Sequence, residues 1–176
     1  VRNVVMLGGV KKTHIYSKAR PDFRVLALAA KLVLWKDDDI LRALAAELEK
    51  DGITICESTF GLDGILVTEG SLTSRQPTKK EWGDIRYGWD IARETGRLDI
   101  GQCVVVKDRV VVVKRCKPQQ DLRFDLPAVG PRTIEVMRSV KASVLAVEAG
   151  RSVMLDREEL LRHAEDEGIA VVGVAR

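Results

Sequence analysis

The residues best suited to chemistry lie in one segment, residues 117–133, between two apolar stretches. The charged side chains of this segment are two aspartates, two arginines and a lysine: Asp121, Asp125, Arg123, Arg132 and Lys117. Carboxylates are ligands for hard cations, and guanidinium and ammonium groups bind phosphate oxygens. The segment is therefore predicted to be a site for a metal ion and a phosphate group.

Three prolines, Pro118, Pro127 and Pro131, set the backbone of this segment. Each proline removes an amide donor and fixes φ, so the segment up to Gly130 is predicted to be a stiff loop. Pro131 is expected at the first turn of a helix, where the missing amide costs nothing. The amides of that turn would then point toward the loop.

The same charged residues also have plain structural explanations. Asp125 could cap a turn by accepting hydrogen bonds from local amides, and Asp121 could pair with Arg123 at the surface. The spacing alone leaves these alternatives open. Glu148, at the end of a predicted strand, is interpreted as a plain strand exit, with a contact to a metal or a ribose as the alternative.

Two further patterns in the sequence give weak or no support for a functional site. Gly8 and Gly9, followed by Lys11 after a strand-like run, resemble a nucleotide-phosphate turn but lack the full glycine pattern of such loops. His14 and His163 are far apart and have no serine or cysteine motif, so the sequence gives no support to a nucleophilic triad.

Composition narrows the class of protein. The chain has 176 residues, of which 45% are hydrophobic, and its 29 basic and 26 acidic residues are interleaved, so no nucleic-acid partner is expected. The three cysteines have neither zinc-site spacing nor an even count, which favours a reducing cytoplasm. No apolar run approaches the ~20 residues of a membrane span, although contact with a membrane surface stays open. The strand-like start of the chain indicates that a further segment precedes it.

Alternating strands and helices predict an α/β fold: a mixed sheet flanked by helices. Strands are predicted at 1–7, 53–56, 103–106, 110–113, 144–147, 153–155 and 169–174, and helices at 22–34, 40–50, 79–95, from 131 and at 157–167. The hairpin at 104–113 would make the sheet mixed. Thr78 with Glu81 forms a predicted capping box, Gly52 is placed after a helix end, and Asp156 is expected to cap the last helix.

Several motifs in fixed order resemble one family. The pattern of 117–133, with the stretches 98–102, 146–150, 155–158 and 171–174, is similar to the C-terminal domain of LpxI-type UDP-2,3-diacylglucosamine pyrophosphatases. Residues 4–11 resemble the end of that family's N-terminal domain. The resemblance implies that residues 1–20 are the end of the N-terminal domain with a linker. Residues 21–176 would be the C-terminal α/β catalytic domain, preceded by a remnant strand of the nucleotide-fold N-terminal domain.

The family hydrolyses the pyrophosphate bond of UDP-2,3-diacylglucosamine to UMP and 2,3-diacylglucosamine 1-phosphate, called lipid X, in lipid A biosynthesis of Gram-negative bacteria. It depends on Mg²⁺ or another divalent cation such as Mn²⁺. The resemblance thus implies a cytoplasmic hydrolase with peripheral contact to the inner membrane, and it leaves a homodimer open.

The resemblance also implies roles for individual residues. Asp125 and Arg123 would be catalytic, and Asp125 and Asp121 would bind the metal. Substrate binding would fall to Lys117, Gln120, Arg132, Thr133, Gly8, Gly9 and Lys11.

One departure from the family bears on activity. Members usually carry a Glu-Gly-Thr-Asp segment after the strand that corresponds to 110–112, whereas here Val113 leads straight to Lys114. The unbroken run of valines favours a segment that is merely omitted from this sequence over one that is deleted. A deletion would favour the rival hypothesis, a non-catalytic nucleotide-binding or regulatory domain of the same fold. Another metal-dependent phosphoesterase is the third alternative.

Overall fold

The computed structural model describes residues 2–6, 37–106 and 110–175, with the backbone alone for 37–40. It divides into two compact units: Val1–Phe60 with Asp121–Phe124, and Gly61–Gln120 with Asp125–Arg176. The predicted helix at 22–34, the glycine turn at 8–9 and the hairpin turn at 107–109 lie outside the described residues. The domain boundary expected after residue 20 also lies outside them and stays a prediction.

The first unit contains a two-stranded parallel sheet. Strand β1 (Asn3–Val5) pairs with β2 (Thr54–Cys56), with Val4 opposite Ile55. Both strands were predicted, but β1 is only half-buried at Val4 and Val5, and Asn3 is exposed. The run from Val1 to Leu7 also predicts a buried strand, and that part of the prediction is wrong for Asn3, which is exposed.

Helix α1 (Asp37–Lys50) lies in the same unit and begins three residues before its predicted start at residue 40. Its end follows the prediction: Gly52 has a φ of 77°, and the amide of Ile53 donates to the carbonyl of Leu48 at 3.3 Å. Glycine reaches this left-handed conformation without steric cost, which explains why the helix ends here.

The second unit is built on a five-stranded mixed sheet, as predicted. Its strands are β3 (Gly70–Ser71), β4 (Cys103–Val106), β5 (Val111–Lys114), β7 (Val144–Glu148) and β9 (Ala170–Val174). Their order is β3-β9-β7-β5-β4, and the central three are parallel, while the two edge strands run antiparallel to their neighbours. A separate parallel pair joins β6 (Ala128–Val129) to β8 (Val153–Met154). Strands β3 and β6 were not predicted, because two residues are too short to show a period.

Three helices belong to this unit: α2 (Lys79–Arg97), α3 (Pro131–Ser139) and α4 (Arg157–Asp166). The predicted capping box of α2 is confirmed. The Thr78 hydroxyl accepts from the amide of Glu81 at 3.3 Å, and the Glu81 carboxylate accepts from the amide of Thr78 at 2.8 Å. Helix α2 runs two residues beyond its predicted end at Thr95.

The prediction that Asp156 caps the last helix with its side chain is wrong. Asp156 has a φ of 46°, in the left-handed region, and its side chain makes no capping hydrogen bond to α4. A side-chain cap needs an extended backbone at this position, and the left-handed conformation turns the carboxylate away from the first helical amides. The helix then ends at Asp166.

The two faces of the sheet bury separate apolar clusters. Leu145 and Val147 face one cluster, with Ile134 of α3 and Leu160 of α4. The alternate residues of the same strands face the other cluster, which α2 covers through Ile85. Side chains alternate between faces along a strand, so both faces of the central strands must be apolar.

Helix α2 packs closely on the sheet at Gly88. A Cβ atom added there would lie 2.8 Å from Cγ2 of Val113 and 2.9 Å from Cγ2 of Val106. Trp82 and Trp89 of the same helix pack partly buried against this cluster. Among the described residues, no helix is at once long and apolar enough to cross a bilayer.

Candidate functional site

The predicted site loop leaves the sheet where two parallel strands end. Strand β5 ends at Lys114 and leads into residues 115–120, and its parallel neighbour β7 ends at Glu148. In α/β proteins, ligands bind outside the carboxyl ends of parallel strands. Residues 115–120 are thus placed at the edge of the sheet where a site is expected.

Gln120 and Asp125, both predicted site residues, are brought together. Nε2 of Gln120 donates to Oδ2 of Asp125 at 2.5 Å, and Asp125 is exposed. Oε1 of Gln120 accepts from the amide of Lys117 at 3.0 Å and from the thiol of Cys116, whose Sγ lies 3.2 Å away. The amide side chain therefore bridges the loop backbone and the carboxylate.

Behind this contact lies a buried anchor. Oε2 of Glu148, a residue that is 1% exposed, accepts from the amide of Cys116 at 2.8 Å and lies 4.0 Å from Nε of Arg115. The guanidinium of Arg115 stacks 4.9 Å from the ring centroid of Trp89. Glu148 thus fixes the start of the loop, which agrees with its interpretation as a structural strand exit.

Lys117 lies against the end of α2. Its Nζ lies 2.8 Å from Oδ1 of Asp99, and its Cα would be 3.3 Å from a Cβ atom added to Gly96. Nε2 of Gln119 donates to the carbonyl of Gly96 at 2.6 Å. The close approach explains why a glycine stands in the last turn of this helix: any larger side chain would push the loop away.

Asp121 and Arg123 lie in the first unit, with α1. Oδ1 of Asp121 accepts from Nε of Arg123 at 3.0 Å and Oδ2 accepts from its second terminal nitrogen at 2.8 Å, while Arg42 lies 3.6 Å from Oδ2. Arg123 also donates to Glu49 at 2.8 Å. The alternative of a mutual ion pair is therefore the arrangement that the structure shows.

The pair shifts the titration of both members. The hydrogen bond from Arg123 holds the pKa of Asp121 below its ordinary value, against the opposing effect of burial. The pKa of Arg123 is raised, first by the hydrogen bond to Asp121. A carboxylate engaged in this way must lose its guanidinium partner before it can bind a cation.

Arg132 and Thr133 are placed on the first turn of α3, as predicted. Pro131 is the first helical residue, and the hydroxyl of Thr133 accepts from the amide of Gly130 at 3.2 Å. Arg132 is exposed and Thr133 is half-buried. Gly8, Gly9 and Lys11 lie outside the described residues, so their predicted contact with substrate stays a prediction.

The donor set for a metal ion is small. Among the described residues, no three His, Cys, Asp or Glu side chains are grouped so that they could hold a cation. Asp125, exposed and bonded to a neutral amide, fits a ligand role, whereas Asp121 is engaged by Arg123. Mg²⁺ is commonly held by one or two carboxylates together with substrate phosphates and water, so a single carboxylate is compatible with such a site.

Sequence reasoning missed several supporting residues of this loop: Asp99, Cys116, Gln119 and the anchoring role of Glu148. Asp99 and Glu148 stood in stretches already singled out, 98–102 and 146–150. No short-range signal could have linked Glu148 to Cys116, because the two are 32 positions apart.

Comparison with known families matches nearly the whole chain. The model of the LpxI N-terminal domain matches residues 1–65, and that of the LpxI C-terminal domain matches residues 68–112 and 107–172. The N-terminal match thus reaches beyond residue 20. The two C-terminal matches meet and overlap at 107–112, the point where a family segment was expected to be missing.

A curated relative agrees with this assignment. The UDP-2,3-diacylglucosamine pyrophosphatase LpxI of Caulobacter vibrioides is 30% identical over 210 aligned positions, which cover 98% of this chain and 74% of the relative. The alignment has 210 positions and the chain 176 residues, so at least 34 positions (210 less 176) face a gap in this chain.

The structure describes the backbone at residues 110–114, where the family segment was expected. Strand β5 runs through Val112 and Val113 without interruption. Val110, just before β5, has a φ of 45°, a conformation that is unfavourable for a β-branched residue. The backbone is thus strained at the point where the two family matches meet. With matches to both domain models and to a relative over most of both chains, the protein belongs to the LpxI family.

Proposed function

We propose that this protein hydrolyses the pyrophosphate bond of UDP-2,3-diacylglucosamine, releasing UMP and 2,3-diacylglucosamine 1-phosphate. The observation that carries the proposal is the placement of Asp125: an exposed carboxylate with a neutral partner, in the loop that follows a central parallel strand. Family membership supplies the substrate class, since the relative from Caulobacter vibrioides is named for this substrate.

Asp125 is the proposed ligand of a divalent cation, Mg²⁺ or Mn²⁺, together with the phosphate oxygens of the substrate. When bound, such a cation neutralises charge on the diphosphate and lowers the pKa of a bound water. Asp121 as a second ligand stays a prediction that requires Arg123 to release it. Arg123 as a catalytic residue stays a prediction for the same reason.

Lys117 and Arg132 are the proposed phosphate-binding cations. Arg132 is exposed on the first turn of α3, where the positive end of the helix dipole also favours an anion. Lys117 is half-buried and would share its charge between Asp99 and a phosphate oxygen. Together they would offset the negative charge of the diphosphate as the bond breaks.

The acyl chains of the substrate bear on where the enzyme works. Two acyl chains are costly to expose to water, so we propose that the enzyme takes its substrate at the surface of the inner membrane, from the cytoplasmic side. A homodimer stays a prediction.

A second candidate is a nucleotide-binding domain of the same family without catalysis. The observation that favours it is the division of the C-terminal family match into two parts that meet at residues 107–112, because a family segment with two acidic residues would be missing from the site. The two candidates differ in turnover and agree in fold.

The test is release of UMP from UDP-2,3-diacylglucosamine by the whole protein, measured with Mg²⁺, beside Asp125→Ala. Asp166→Ala is the matched control, because Asp166 is an exposed carboxylate on α4 whose weak ion pair contributes little. We expect the wild type and the control to release UMP and Asp125→Ala to lose at least ~100-fold in rate, as for loss of a metal ligand or electrostatic group. A well-folded wild type without UMP release, but with nucleotide binding, would overturn catalysis and leave the second candidate.

A further inference from the structure

We infer that Gln120 is a positioning residue, which holds the carboxylate of Asp125 in place, rather than a contact to substrate. The catalytic part of this inference rests on the proposed function of Asp125. Its structural part rests on three contacts of the glutamine side chain, and these hold whatever the reaction.

The side-chain amide of Gln120 has one orientation that suits its hydrogen-bond partners. The backbone N–H of Lys117 lies 3.0 Å from one end of the side chain and can only donate, so that end must be the carbonyl oxygen. The NH₂ group therefore faces Asp125, 2.5 Å from Oδ2. A reversed amide would place donor against donor and acceptor against carboxylate.

Backbone hydrogen bonds at residues 116–120 hold Gln120 in place. Its own backbone amide donates to the carbonyl of Lys117 at 3.0 Å, which closes a tight turn over 117–120. Cys116, the residue before this turn, is 3% exposed, and its backbone amide donates to the buried carboxylate of Glu148. Gln120 therefore lies in a turn that follows β5 and is anchored to the end of β7. From this position its side chain fixes one oxygen of the exposed Asp125 carboxylate.

Asp125 and Asp121 differ in the charge of their partners. Gln120 is the hydrogen-bond partner that the structure shows for the Asp125 carboxylate among the described residues, and it is neutral. Asp121, by contrast, is held by the guanidinium of Arg123. A neutral donor fixes one oxygen and leaves the negative charge uncompensated, so Asp125 keeps the charge that a cation would need.

The inference separates two roles by kinetics. A residue that binds substrate equally in the ground state and the transition state changes KM and leaves kcat unchanged, whereas loss of positioning lowers kcat. With both ends of its amide engaged within the loop, Gln120 is expected to affect kcat. Partners that orient a metal ligand typically contribute about 10–100-fold to activity.

The experiment compares Gln120→Glu, Gln120→Leu and the control Gln76→Leu. Gln120→Glu keeps an acceptor for the amide of Lys117 but places a carboxylate against Asp125, and Gln120→Leu removes both contacts. Gln76→Leu changes an exposed glutamine of the same unit that lies outside the site loop. Thermal unfolding of each variant checks that the fold is retained.

We expect both Gln120 variants to lose about 10–100-fold in kcat with KM within about 2-fold of the wild type, and Gln76→Leu to keep wild-type kcat. A raised KM at wild-type kcat would overturn the inference in favour of direct substrate binding. Unchanged kinetics in both Gln120 variants would overturn it as well.

An NMR measurement keeps the inference separate from the proposed function. The side-chain ¹H–¹⁵N signals of Gln120 should shift in Asp125→Ala and stay in place in the control Asp63→Ala, an exposed aspartate of the same unit. Signals that do not respond to Asp125→Ala would refute the contact. Absence of UMP release from the wild type would count against the proposed function while this test of the contact stands.

Discussion

Both carboxylate oxygens of Asp121 accept hydrogen bonds from the guanidinium of Arg123, at 3.0 and 2.8 Å. The backbone amide of Arg123 donates to the same carboxylate at 3.1 Å. The neighbouring Asp125 has a neutral amide as its partner instead. Two aspartates, four positions apart in the chain, are thus held by partners of different charge.

The ion pair predicts that Asp121→Asn lowers stability more than it lowers activity. The side chain of Asp121 is 20% exposed, and loss of a charge-assisted contact of this kind costs about 1–3 kcal/mol. Because the pKa of Asp121 is lowered in the folded state, the contribution is present above the ordinary value of 3.8 and is lost as the pH falls below it.

Urea unfolding at pH 7 and at acidic pH measures this difference. Glu47→Gln is the control, because its i,i+3 pair with Lys50 lies on the surface and contributes little. Wild-type stability together with lost UMP release in Asp121→Asn would instead place Asp121 in the chemistry.

Glu81 predicts a second pH effect. Burial raises its pKa, but hydrogen bonds from Thr78, Arg75 and Ser143 outweigh that effect and lower the pKa from 4.5 to about 2. The stability that Glu81 contributes is complete above pH 4.5 and is lost as the pH falls toward about 2. We expect Glu81→Gln to cost about 1–3 kcal/mol at pH 7 and to flatten the acid side of the stability profile. A profile as steep as that of the wild type would contradict this account.

Two glycines of α2 form a matched pair for packing. Gly88→Ala would place a Cβ atom 2.8 Å from Val113, so we expect it to cost about 1–3 kcal/mol through overpacking. Gly83 has nothing within 4 Å of an added Cβ, so Gly83→Ala should stabilise the helix by about 0.5–1 kcal/mol. Denaturant unfolding of both variants decides the matter, and equal effects would show that the helix does not lie this close to β5.

Removal of metal provides a further prediction. Treatment with EDTA should abolish UMP release, and added Mg²⁺ should restore it, because the proposed cation neutralises charge on the diphosphate and lowers the pKa of a bound water. Unfolding in EDTA should match that of the untreated protein, since the described residues offer no group of metal ligands on which the fold could depend. Full activity in EDTA would exclude the proposed cation.

Much of the fold could be read from neighbouring residues. The capping box of Thr78 and Glu81, the helix end at Gly52 and the start of α3 at Pro131 all appear as predicted. These signals are readable because the groups involved are at most five positions apart, so the local chain alone brings them together. Asp156 shows the limit, since its left-handed backbone removed a cap that its residue type favours.

The sequence by itself determined that a charged, proline-stiffened segment precedes the helix that begins at Pro131, and its motifs determined the family. Only the tertiary structure decided that Asp121 pairs with Arg123, that Gln120 holds Asp125, and that a buried Glu148 anchors the loop. The physical reason is that a carboxylate's role depends on its partners. Those partners are brought together by the turn at 117–120 and by the contact between Cys116 and Glu148, which are 32 positions apart in the chain. Residue types alone specify neither.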